Sequence, residues 1–144
     1  MRKPVTRLLA FLLVAASVAF SACGGGGESG TSNSGNNPPG PTYPSKILTW
    51  SAPSAYTDNT NLNPVAELAN FEIYVKESGS FTDSDSPMAL VSAIDPVTLQ
   101  LVTSFDLAKL GPYIASGVQY RVSVRAVALT GARSDFSSAA TFSF

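Results

Sequence analysis

Residues 45–144 predict an all-β chain folded as an antiparallel sandwich of two sheets, and three observations carry this expectation. Short apolar runs alternate with polar residues at period two, the pattern of strands with one face on a core. Turn signals at Ser78-Gly79, Asp95-Pro96, Gly111-Pro112 and Thr130-Gly131 separate the runs. No stretch carries a helical repeat of useful length, apart from a possible turn around Leu107 to Leu110. Two half-apolar sheets must cover one another. A chain of about 100 residues can bury roughly two-thirds of its unfolded surface and fold without staples.

Taken in order, the first strand places Leu48 and Trp50 on one face and Ile47 and Thr49 on the other. In the second, Phe71, Ile73 and Val75 alternate with Glu72 and Tyr74. Met88 to Ile94 and Leu99 to Phe105 are the third and fourth. The fifth alternates Tyr120, Val122, Val124 and Ala126 with Arg121, Ser123 and Arg125, and Ala139 to Phe144 is the last.

The amino-terminal part differs in kind. Arg2, Lys3 and Arg7 precede an uncharged apolar run from Leu8 to Phe20, which is too short to span a bilayer but suits a cleavable export signal. The quartet Phe20-Ser21-Ala22-Cys23 resembles the lipobox of bacterial lipoproteins, although Phe20 stands where such sequences usually carry Leu. The resemblance implies a signal peptide over residues 1–22 and a mature chain that starts at an acylated Cys23. The family adds two or three acyl chains, and two or more hold a protein stably on a membrane. The alternative is secretion after cleavage at Ala19-Phe20-Ser21, which leaves Cys23 as a thiol near the new terminus. Gly24 rather than Asp after the cysteine implies the outer membrane by family analogy.

Residues 23–44 form the linker of such a protein. From Gly24 onward they are Gly, Ser, Asn, Pro and Thr with one charge, Glu28, and one aromatic residue, Tyr43. Such a stretch cannot bury enough apolar surface to order itself.

Composition narrows the chemistry. Removal of residues 1–22 takes three of the nine basic residues and none of the ten acidic ones, leaving six against ten and a net charge of −4. This is no nucleic-acid footprint. Histidine is absent, which removes the usual general base near neutral pH and the commonest metal ligand. With Cys23, the sole cysteine, committed to lipid, disulfides, thiolate catalysis and Cys/His zinc sites are excluded. No nucleophile and base pair can be named, so the chain reads as non-catalytic, with no cofactor.

Specific residues then bring a family into view. Leu48-Thr49-Trp50-Ser51-Ala52-Pro53 resembles the second strand of a fibronectin type III domain, and Asn70-Phe71-Glu72-Ile73-Tyr74 its third. The stretch from Ile114 through Gly117 and Tyr120 to Ala126 is similar to the entry into its sixth strand. The resemblance implies an immunoglobulin-like sandwich in which Trp50 is core and the Tyr120 hydroxyl bonds to upstream backbone as a tyrosine corner. Gly131 and Ser134 fit the turn into the last strand. Two departures stand out. Pro41-Thr42-Tyr43-Pro44 offers only an irregular first edge, because proline cannot donate to a ladder, and Glu77 to Leu110 is longer than the family usually needs.

Among candidate sites, Asp83-Ser84-Asp85 and the segment from Asp58 to Asn63 offer oxygen ligands, but the second lacks the Gly and Glu of a calcium loop. Both read as solvated turns. Arg121 and Arg125 lie on an outward strand face, available to a partner's carboxylates or simply keeping that face wet. In the type III arrangement the loops Ala52 to Glu67 and Leu129 to Asp135 meet at one end. Loops on a rigid scaffold concentrate binding residues, and here Tyr56 and Arg133 supply the aromatic and cationic types favoured at interfaces. The expectation is a lipid-anchored envelope protein that binds a protein or glycan partner. The alternative is a structural component bracing an envelope complex through its sheet edges.

Overall fold

The computed structural model describes residues 42–144. Cys23, the signal segment and most of the linker lie outside the described residues. Six strands form: β1 (Ile47–Thr49), β2 (Leu68–Lys76), β3 (Ala89–Ser92), β4 (Ser104–Asp106), β5 (Tyr120–Ala128) and β6 (Ala140–Phe142). One helical turn, α1 (Pro64–Glu67), precedes β2, and a 3-10 helix (Leu107–Tyr113) follows β4.

All pairings are antiparallel. β1 pairs with β4, and the larger sheet runs β3-β2-β5-β6. The long strands β2 and β5 pair in register from Asn70 opposite Val127 to Lys76 opposite Arg121. That register puts Phe71, Ile73 and Val75 beside Ala126, Val124 and Val122 on one face. Leu48 from the smaller sheet and Trp50, one residue beyond β1, join these residues in a single core. The Trp50 and Phe71 ring centres lie 5.1 Å apart across it. Period-two alternation thus becomes two sheets with apolar faces inward.

Two interactions expected of the aromatic residues are present. Trp50 is buried, and the backbone N–H of Ala115 donates to the Tyr120 hydroxyl at 3.0 Å. The Trp50 indole N–H, by contrast, has no acceptor among the described residues.

The expected strand over Leu99 to Phe105 begins only at Ser104. One Asp95 carboxylate oxygen accepts the backbone N–H groups of Val97 and Thr98, and Leu99 N–H returns to the Asp95 carbonyl. These bonds reverse the chain, hold Leu99 at φ 56°, and leave Ile94 and Leu101 as an isolated bridge below the tip. The result is a short hairpin between β3 and β4 in place of a longer strand.

The outer face of the larger sheet is also drier than alternation implies. Arg125 is only 8% exposed. The connection between β2 and β3 and the approach to β6 both fold across this face, bringing Phe81 and Phe136 onto Tyr74. Where the chain runs beside β5 before β6, the Ser134 and Ser137 hydroxyls accept the N–H groups of Ala126 and Val124. Side-chain oxygens thereby complete the ladder where regular pairing has lapsed.

Candidate functional site

Hydrogen bonds fix the two ends of the molecule. At the entry end, the Lys46 carbonyl accepts Leu107 N–H, its ammonium donates to the Ser143 carbonyl, and Gly117 N–H donates to the Phe144 carbonyl. Tyr43 packs edge-on against Phe144, and Gly111 is bare backbone where any Cβ would overlap the Tyr43 ring.

At the opposite end three connections converge. Trp50 N–H donates to the Thr103 carbonyl, Val102 N–H to Ala93, and Ala93 N–H to Ala69. These bonds tie the exit of β1 to the hairpin between β3 and β4 and to the start of β2. Leu129 N–H donates to the Glu67 carbonyl, which joins the β5–β6 turn to α1. The two loops singled out in the sequence do meet, and the hairpin that turns at Asp95-Pro96 is a third member, which the sequence reading did not place at this end.

Each loop is braced by side-chain hydrogen bonds or an ion pair. The Tyr56 hydroxyl donates to a Glu67 carboxylate oxygen at 2.9 Å, and Asn63 N–H donates to the same oxygen. Partial burial and this carboxylate push the Tyr56 pKa up. Asp58 accepts both the N–H and the hydroxyl of Thr60, and these bonds hold its carboxyl below the usual range. The Asp95 carboxyl is lowered by the two N–H groups it accepts. Arg133 donates to the Glu72 carboxylate at 3.0 Å. Tyr56 and Arg133 thus share this end of the molecule, each engaged by a different glutamate.

Behind the loops, the outer sheet face holds a network of charged and aromatic groups. Glu72, only 5% exposed, accepts the Tyr74 hydroxyl at 2.6 Å as well as Arg133. Burial first, then Glu72, pushes the Tyr74 pKa up to about 12. Arg125 donates to Asp83 at 2.6 Å and to the Ser134 carbonyl. Lys76 pairs with Asp85 at 2.6 Å over the Phe81 ring. Asp83 and Asp85 are therefore bonded to cations, and Arg125 is consumed within the fold instead of facing outward. Arg121 donates to the Gly79 carbonyl. Among the described residues no three Asp, Glu, His or Cys side chains converge as metal ligands, and no helix is long and apolar enough to cross a membrane.

No family model matches this sequence, and no curated protein or solved structure shows significant similarity to it.

Proposed function

We infer that the chain is a lipid-anchored protein of the bacterial envelope whose β-domain, of fibronectin type III kind, is a non-catalytic module for binding a protein or glycan. The strand order, with β1-β4 opposite β3-β2-β5-β6, supports the type III reading. So does the Tyr120 hydroxyl bonded to upstream backbone, as that family's tyrosine corner requires.

The observation that carries the binding role is polarity of construction: the described chain enters at one end, and three braced loops converge at the other. A domain tethered by its entry end presents the loop end outward, with Tyr56 and Arg133 on it. Attachment comes through Cys23 and its acyl chains, and the outer membrane is the destination.

Intact mass of the membrane fraction tests the anchor. The expected species begins at Cys23 with acyl mass added, and Cys23→Ser should release the protein or leave it unprocessed. A mature terminus elsewhere, with an unmodified thiol, would sink this reading.

A further inference from the structure

Four of the eight large apolar residues that are exposed among the described residues lie at the loop end. Val65 on α1, Val97 and Leu99 on the Asp95 hairpin and Leu129 on the β5–β6 turn are all exposed, Val97 at 87% and Leu99 at 71%. They come from three separate connections whose bases are hydrogen-bonded to one another. Contiguous exposed apolar surface with a polar rim marks an interaction site, whereas a scattered single residue does not.

The hairpin is also built to hold its pair in place. Two N–H bonds to Asp95 fix the turn, and Leu99 is kept at φ 56°, a conformation that any residue with a Cβ adopts at a cost. Folding here holds a large apolar side chain in an unfavourable backbone state, and does so facing water.

Charge decides the kind of partner. Asp58, Glu67 and Asp95 lie at this end. Its one cation among the described residues, Arg133, is neutralised by Glu72. Of the other described cations, Lys46, Lys76, Lys109 and Arg121 lie at or near the entry end, and Arg125 is mid-sheet, bonded to Asp83. Two such ends repel each other, which disfavours a second copy. An envelope bilayer bearing anionic lipid is repelled in the same way.

We propose that Val65, Val97, Leu99 and Leu129 form a docking surface for a protein partner that presents an apolar patch rimmed by Lys and Arg. This rests on the binding-module reading and narrows it to one surface and one partner chemistry. The apolar side chains supply affinity through their burial, and the acidic rim steers encounter and rejects acidic competitors.

A photo-crosslinking amino acid in place of Val97, in the full chain in its native cell, tests the surface, with the same group in place of Lys109 as the control at the entry end. The expected result is a protein adduct from position 97 that maps to a segment containing Lys or Arg. Adding Leu129→Ser should cut its yield about tenfold, and Asp58→Asn about threefold. Both residues are exposed, so the melting midpoint should stay put. An adduct to lipid, to a second copy or to an acidic segment overturns the proposal. So does a yield from position 97 that ignores Leu129→Ser and Asp58→Asn. Protein adducts from position 109 alone overturn the surface yet leave the binding module standing, and no protein adduct from either position overturns both.

Discussion

The guanidinium carbon of Arg125 lies 4.5 Å from the centre of the Phe136 ring. The same side chain donates to Asp83, whose own side chain is 79% exposed. Two partners therefore compete for credit in holding Arg125 on the sheet. An ion pair with one exposed member is screened and contributes little, whereas stacking on a ring excludes water from both groups. Phe136→Leu should cost about 1–2 kcal/mol, through lost cation–π contact and imperfect packing. Asp83→Ala should cost less than about 0.5 kcal/mol. Urea unfolding of the two variants gives the comparison, and the reverse order would mean that the ion pair governs.

Trp50 provides a second test, since it is the only tryptophan and its ring is buried between the sheets. Its emission should be blue-shifted in the folded protein and move to the red on unfolding. Trp50→Ala should cost about 3–5 kcal/mol, a large share of a small domain's stability of about 5–15 kcal/mol. Trp50→Phe should cost less than half as much, because it also removes an indole N–H that has no acceptor among the described residues. Normal unfolding of Trp50→Ala would show that the core lies elsewhere.

The Tyr120 hydroxyl accepts the backbone N–H of Ala115. Tyr120→Phe removes the acceptor and keeps the ring against Phe142. The expected loss is about 0.5–1.5 kcal/mol, together with faster hydrogen exchange at the Ala115 amide. Unchanged exchange there would show that the bond contributes nothing to that turn.

Stability should also fall in alkali through Tyr74. Its folded pKa is about 12 against an ordinary value of 10.0, so the folded state favours the neutral phenol. The resulting stabilisation is fully present below pH 10 and is lost as pH rises through 12. Melting midpoints of the parent should decline across that window, and Tyr74→Phe should decline less steeply. Equal slopes would show that Tyr74 ionises freely in the fold.

Much of this architecture was legible because Phe71 to Val75 in β2 and Tyr120 to Ala126 in β5 alternate in sequence, and because Trp50 falls in phase with Leu48. The covered outer face was not. Phe81 and Phe136 stand alone in polar stretches with no period to reveal them, so Glu72 and Arg125 read as wet positions. The four-residue α1 was too short to leave a helical pattern. Of the candidate site, two loops could be read from their length and composition. Of the third, the Asp95-Pro96 turn signal was legible, but Leu99 and Leu101 continue a strand-like alternation that concealed how far the turn and its hairpin extend. Leu99 accordingly looked like a strand residue when it belongs to the tip of a hairpin.

The seating of Tyr43 over Gly111 and against Phe144 has a mechanical consequence. Tension between the loop end and residue 42 runs along β1, and the three paired residues that join β1 to β4 are loaded together in shear, not peeled one at a time. The Lys46 bond to the Ser143 carbonyl shares that tension with the β6 side of the larger sheet. Gly111→Ala, by lifting the Tyr43 ring, would remove the outermost stop and let β1 start to slide at lower force.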